Sequence, residues 1–211
     1  MFSSKGFLLQ RTEQDVKVID GHWRSIRKLV DSIAPDVQGI NAWRYQRQVS
    51  PGMQEYVEAL AFERYLTSGD MVDLTTSGHF DNVLVDNKVT EDDYVLGLCD
   101  LTGEMMRFAV TSMATNGTLL KTYSTGRSGE ENTRTILSDL RSISAHLEGL
   151  VTNSSSSAQT PLTRELLKKL EVTRESVEKV EKAAYGLAIR GRERSKRWIP
   201  SVMGPDSGTA E

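Results

Sequence analysis

The stretch Y-V-L-G-L-C-D-L-T-G-E-M-M-R-F-A-V, residues 94–110, decides how the chain folds. On a helical wheel at about 100° per residue, Asp100, Glu104 and Arg107 fall in a stripe about 60° wide, flanked by Gly97 and Gly103. Almost everything else on the circumference is apolar, whereas an ordinary surface helix carries an apolar stripe of roughly 100° or a little more. Such a helix belongs in the middle of a bundle. Its narrow polar stripe faces a slot rather than open water, and the two glycines leave room beside the acids.

The flanking sequence is helical nearly everywhere. T-E-D-D, residues 90–93, starts this central helix with a threonine cap and acids in the first turn, and A-T-N-G closes it near Met113. Upstream, Ile19, Trp23, Ile26, Val30 and Ile33 alternate at spacings of four and three until Ala34-Pro35 ends the run. A second stretch covers 37–66, interrupted at Pro51-Gly52. Either Ser50 caps a new helix with Pro51 in its first turn, or one long helix kinks there.

Residues 67–89 read as a loop, with room for a short strand. Ile136, Leu140, Ile143, Leu147 and Leu150 predict a helix over 130–149. Residues 151–160 are a polar, flexible linker. Thr160-Pro161 opens a last helix in which Leu166, Leu170, Thr173, Val177, Val180, Ala184 and Leu187 keep the four-three spacing up to a stop at Gly191. The expectation is all-α: one domain over 1–199, a bundle of about six to seven mostly long antiparallel helices, with a disordered tail over 200–211. Four-three seams also suit packing between subunits.

Composition excludes several classes. A net charge of −3 is not the basic excess of a dedicated nucleic-acid binder, so RNA or DNA contact must come from local patches or a partner. A lone cysteine, Cys99, allows no internal disulfide and suits a reducing compartment; we read it as a packing residue. No apolar run has the length of a membrane span and no signal peptide opens the chain, so the expectation is a soluble intracellular protein.

A second carboxylate pair lies in M-Q-E-Y-V-E-A-L-A-F-E-R-Y-L, residues 53–66. Glu55 and Glu58 share one face at i and i+3, together with Ala59, Phe62, Tyr65 and Leu66, and the face with Glu63 and Arg64 is expected to be the exposed one. Two helices thus present acids from apolar surroundings, where an unpaired carboxylate is costly. Four carboxylates together raise one another's pKa values. A divalent cation is one natural compensation, and all-oxygen ligands favour Mg²⁺ or Mn²⁺ over zinc. The other is structural ion pairing, Glu55 with Arg44 or Arg47 and Asp100 or Glu104 with Arg107. The three histidines, His22, His79 and His146, show no ligand spacing, and neither Glu55 nor Glu58 begins the Glu-x-x-His signature of di-iron bundles. A hard-metal carboxylate cluster points to phosphoryl chemistry.

These same segments carry a resemblance. Q-E-Y-V-E-A at 54–59, Y-V-L-G-L-C-D-L-T-G-E-M-M-R at 94–107 and V-E-K-V-E-K-A-A-Y-G-L-A-I-R-G at 177–191, with F-L-L-Q-R at 7–11, resemble translin-associated factor X (Trax) of the translin family over nearly the whole chain. The D-L-T-G-E form sets Trax apart from translin. The resemblance implies an all-α fold and a hetero-oligomer with translin subunits that closes around RNA. It also implies a Mg²⁺-dependent endoribonuclease, acting on single-stranded RNA that includes small-RNA passenger fragments and tRNA-processing by-products, in the cytoplasm, the nucleus or both. Carried onto this chain, the family's catalytic and metal-holding acids are Glu55, Glu58, Asp100 and Glu104. Arg107 becomes the residue that orients Asp100 or Glu104. Relative to the family, the chain is expected to lack the first long helix before F-L-L-Q-R.

W-R-Y-Q-R, residues 43–47, interleaves aromatics with Arg44 and Arg47; Trp43, Arg44 and Arg47 suit base stacking and phosphate contact, or else form the wet face of an amphipathic helix. R-G-R-E-R-S-K-R, residues 190–197, is basic as a helix C-terminus favours. The rival to the ribonuclease is a non-catalytic scaffold or nucleic-acid-binding bundle, which has no reason to bury four acids.

Overall fold

Residue 97 has to be glycine for the helices around it to pack as they do. The computed structural model describes residues 12–69, 89–125, 131–153 and 161–193. Among them are five helices, α1 (Glu13–Ile33), α2 (Ile40–Ser68), α3 (Glu91–Asn116), α4 (Ile136–Asn153) and α5 (Pro161–Glu193), with one antiparallel hairpin of β1 (Lys121–Thr125) and β2 (Glu131–Thr135). The fold is the expected helical bundle, with fewer helices than anticipated. α3 packs against α2, α4 and α5. A Cβ on Gly97 would lie 2.8 Å from the Gln54 carbonyl oxygen and 2.9 Å from the Val57 side chain, so only glycine lets α2 come this close to α3. Gly103 has open space around it and fits the expected room beside the acids; Gly97 does not.

The main core forms where the apolar stripes of α2, α3, α4 and α5 meet: Tyr65, Leu101, Met105, Ile136, Leu140, Leu170 and Val180 are fully buried. A second cluster joins α1 to α2 through Val30, Met53, Tyr56 and Val57, with the Trp23 and Tyr56 rings edge-to-face at 5.7 Å. Helix starts follow the caps. Thr12 and Asp15 form a reciprocal capping box on α1, as Thr90 and Asp93 do on α3.

α2 runs unbroken through Pro51, which resolves the alternative at that position. Proline leaves the Arg47 carbonyl without its helical donor, and exposure of Arg47, Pro51 and Gly52 lets water serve it. Ser50 is no cap. Its hydroxyl donates to buried Asp93, fastening mid-α2 to the first turn of α3.

Several boundaries differ from the sequence reading: α2 spans Ile40–Ser68 rather than 37–66, and α4 runs on to Asn153. Residues 131–135 form a strand where a helix was expected to begin: Thr133 and Thr135 are β-branched, and Thr135 and Ser138 then cap α4 reciprocally through 3.0 and 3.1 Å hydrogen bonds. α3 continues to Asn116, where Gly117 at φ +66 terminates it. α5 passes through Gly191 to Glu193. Of the loop expected over 67–89, residues 67–68 belong to α2 and 70–88 lie outside the described residues; of the linker expected over 151–160, residues 151–153 belong to α4 and the rest lie outside them, as does the 200–211 tail.

The hairpin is held by a buried acid. Asp139 Oδ2 accepts from Tyr65 and Thr122 hydroxyls at 2.9 Å each, and Arg134 Nε lies 3.2 Å from Oδ1 as an ion pair rather than an aligned hydrogen bond. Arg134 also donates to the Gly69 carbonyl at 2.6 Å, which ties the end of α2 to β2.

Gly97→Ala is expected to destabilise the fold by about 1–3 kcal/mol, because overpacking outweighs the gain in helix propensity. Gly103→Ala, with nothing within 4 Å of the added methyl, is expected to be neutral or stabilising by up to about 1 kcal/mol. Equilibrium urea denaturation of the two variants measures the contrast.

Candidate active site between α2, α3 and α5

The close α2–α3 approach brings the two acid rows into one electrostatic unit. Glu58 is half-buried, and its carboxyl is pushed up to about 7, first by loss of water and then by the charges of Glu55, Asp100 and Glu104. The mutual repulsion expected from the sequence is therefore present and falls on Glu58. Asp100 and Glu104 are part-buried, with side chains 35% and 32% exposed, in keeping with a slot; Arg107, at 74%, stands at its open rim. Glu55 and Ala59 differ from expectation. Both are exposed, so this edge of α2 looks into open space rather than into apolar packing. Glu63 and Arg64, expected on the exposed face, are half-buried because α1 lies over them.

Cations balance part of this charge. Lys169 of α5 forms an ion pair with Asp100, and its ammonium also donates to Gln54 Oε1 at 3.1 Å. Arg107 pairs with Glu104 at 3.1 Å, one of the ion pairs anticipated. Among the described residues Glu55 makes no ion pair with Arg44 or Arg47. Lys169 and Gln54 were missed in the sequence. Lys169 lies beside the Leu166–Leu170–Thr173 stripe, so its stem must run along the helix interface. A lysine one step off a core stripe, opposite a predicted acid row, was the available signal.

Cys99 is buried and its thiol is pushed up to about 12 by that burial, which fits a packing role. Among the described residues no three His, Cys, Asp or Glu side chains are gathered as a ready-made metal cage. The donor set is nevertheless of the kind a hard cation takes: four carboxylates, one pushed towards neutrality first by burial and then by the other three. Trp43, Arg44 and Arg47 are exposed on the N-terminal half of α2. With the helix continuous, Arg44 and Arg47 lie within about 80° of Glu55 and Glu58 on the wheel. Trp43 and Arg47 line a cavity of ≈ 510 Å³ that Asp92 and Pro161 also border.

Comparison with known proteins identifies the family of the chain. The model of the Translin family matches residues 3–191. The chain belongs to the translin family. It is 31% identical over 199 residues to the translin-associated protein X homolog of Schizosaccharomyces pombe, covering 93% of this chain and 73% of that protein. It is 26% identical over 214 residues to translin-associated protein X of Rattus norvegicus, covering 91% of this chain and 65% of that one, and so spans just under two thirds of that relative. Its structure is similar to the crystal structure of AfC3PO, with a TM-score of 0.55, 20% identity and coverage of 84% and 79% of the two chains; this likeness bears on the fold alone. No helix among the described residues is long and apolar enough to cross a membrane.

For this translin-family chain the Glu58 shift sets a sign. The folded carboxyl holds its proton above the unfolded value of 4.5, so the native state binds more protons between that value and about 7. Stability contributed by Glu58 is therefore greatest at the acid end of the window and declines as pH rises through it. Carboxyl-carbon NMR titration is expected to show Glu58 ionising near neutral pH, lower in Asp100→Asn and higher in Lys169→Met.

Proposed function

We propose that this chain is the catalytic subunit of a translin–Trax type complex, a Mg²⁺-dependent endoribonuclease acting on single-stranded RNA. The observation that carries the reading is the coupling of Glu58 to Glu55, Asp100 and Glu104 across two helices. A scaffold gains nothing from that repulsion, whereas a cation site is built from it. In this reading Glu55, Glu58, Asp100 and Glu104 hold Mg²⁺, or Mn²⁺ in its place. Bound there, the metal supplies Lewis-acid stabilisation of a phosphodiester and lowers the pKa of water.

The chain's own residues do the rest. Arg107 holds the Glu104 carboxylate in orientation through its 3.1 Å ion pair. Lys169 neutralises Asp100, and Gln54 fixes the ammonium from the α2 side. Arg44 and Arg47, on the same face of α2 as the acids, receive RNA phosphates, with Trp43 beside them as a stacking surface. Assembly with translin subunits is supported by the names of the relatives and by exposed Ile40 and Trp43, one turn apart on α2.

One observation favours the rival, a non-catalytic RNA-binding subunit: Asp100 and Glu104 are each engaged by a cation of the chain itself. The two readings separate in one experiment. Coexpressed with a translin subunit, the chain is expected to cut labelled single-stranded RNA with Mg²⁺ and not with EDTA. Asp100→Asn and Glu104→Ala are each expected to lower the rate by about 10²-fold or more. Cleavage by both variants at the wild-type rate would discard the catalytic reading and leave the binding subunit.

A further inference from the structure

A second charged site lies on the opposite side of α2. The groove between α1 and α2 encloses ≈ 510 Å³ and gathers Arg24 and Arg27 from α1 with Arg64 from α2, over a floor that includes Trp23, Tyr56 and Leu60. On the wheel its α2 residues are centred about 150° from Glu55 and Glu58, so it is not the carboxylate slot seen from behind.

The three arginines are not spent on the fold. Among the described residues none of the three guanidinium groups has an ion-pair partner, and Arg64 Nε is shielded from water with no hydrogen-bond partner at all. A buried guanidinium N–H without an acceptor is a deficit that an incoming oxygen corrects. Two acids also line the groove. Glu63 accepts the Trp23 indole N–H at 2.5 Å, which turns its carboxylate to the ring nitrogen, and Asp20 stands at the α1 edge. Positive charge remains in excess, three to two. Arg27 lines the same groove as Tyr56 and Trp23.

Guanidinium forks arriving from two helices match the several oxygens of one tetrahedral anion better than a single carboxylate. The aromatic floor and the volume leave space for a group of nucleoside size beyond that anion. We propose that the α1–α2 groove binds a phosphate dianion, bare or as the phosphomonoester of a mononucleotide, held by Arg24, Arg27 and Arg64. This inference is independent of the ribonuclease reading.

The test is calorimetric titration of the full chain at constant ionic strength with inorganic phosphate, 5′-AMP and adenosine. Phosphate or AMP is expected to bind and adenosine not to; AMP tighter than phosphate identifies a nucleotide as the occupant, and equal affinities identify free phosphate. Arg64→Met and Arg24→Met are each expected to weaken binding about tenfold or more. Arg24 is exposed, so its variant keeps the test open if Arg64→Met misfolds. Asp100→Asn is expected to leave binding unchanged. Absence of heat with both phosphate and AMP, adenosine binding as well as AMP, or affinity surviving both arginine variants would each overturn the proposal.

Discussion

A missing methyl group governs the arrangement of this protein. At Gly97 the backbones of α2 and α3 approach until the Gln54 carbonyl occupies space that any side chain would need. Helices touching through glycine lie closer than helices separated by larger side chains, and residues one and two turns along inherit the proximity. Asp100 and Glu104 are those residues on α3, and Glu58 is their counterpart on α2. Their mutual repulsion is thus a consequence of backbone packing. It persists because the apolar contacts of Val57, Ala61, Leu101 and Met105 on either side hold the helices together.

The same bundle contains a second acid arrangement, and the contrast is instructive. Asp139 is buried yet has hydroxyl donors from Tyr65 and Thr122 and a guanidinium from Arg134, so its charge is fully employed in joining the hairpin to the helices. Burial and its hydrogen bond to Asp139 push the Tyr65 hydroxyl well above the ordinary range, which keeps that hydroxyl a donor. The acids near Glu58 receive two cations among four carboxylates. Asp139 is satisfied by its neighbours, whereas this row carries negative charge left over, an imbalance that makes it the candidate site.

Much of this was legible in the amino-acid order, since helix period and caps are local properties. The α3 wheel identified Asp100 and Glu104, and the Thr90 box located the start of the helix. The face assignment on α2 held for Glu58, Phe62, Tyr65 and Leu66 but not for Glu55, Ala59, Glu63 and Arg64, because it depends on what covers the helix. Nothing within 53–66 reveals that α1 lies over Glu63 and Arg64 and leaves Glu55 and Ala59 open. The strand at 131–135 was hidden for a similar reason: it depends on pairing with 121–125, and the anchor at Asp139 is tertiary. Lys169 illustrates the hardest case. A lysine on an amphipathic helix reads as solvated until the opposing acid is known to be within reach.

The position of Lys169 has a further consequence for how the protein comes into being. α2 and α3 are made early, but the helix that packs along α3 and brings the ammonium to Asp100 is α5, beginning at Pro161. At roughly 5–20 residues per second, several seconds of synthesis pass with α3 emerging into a half-open bundle. Until α5 leaves the ribosome, Leu101 and Met105 lack their neighbours Leu166 and Leu170, and the acids lack their nearest amine. Closure over α3 and the pairing of Asp100 are one event, performed by one helix at the end of translation. A message cut short before residue 161 therefore yields a chain with greasy surface and unbalanced acids, a substrate for quality control rather than a partial copy of the site.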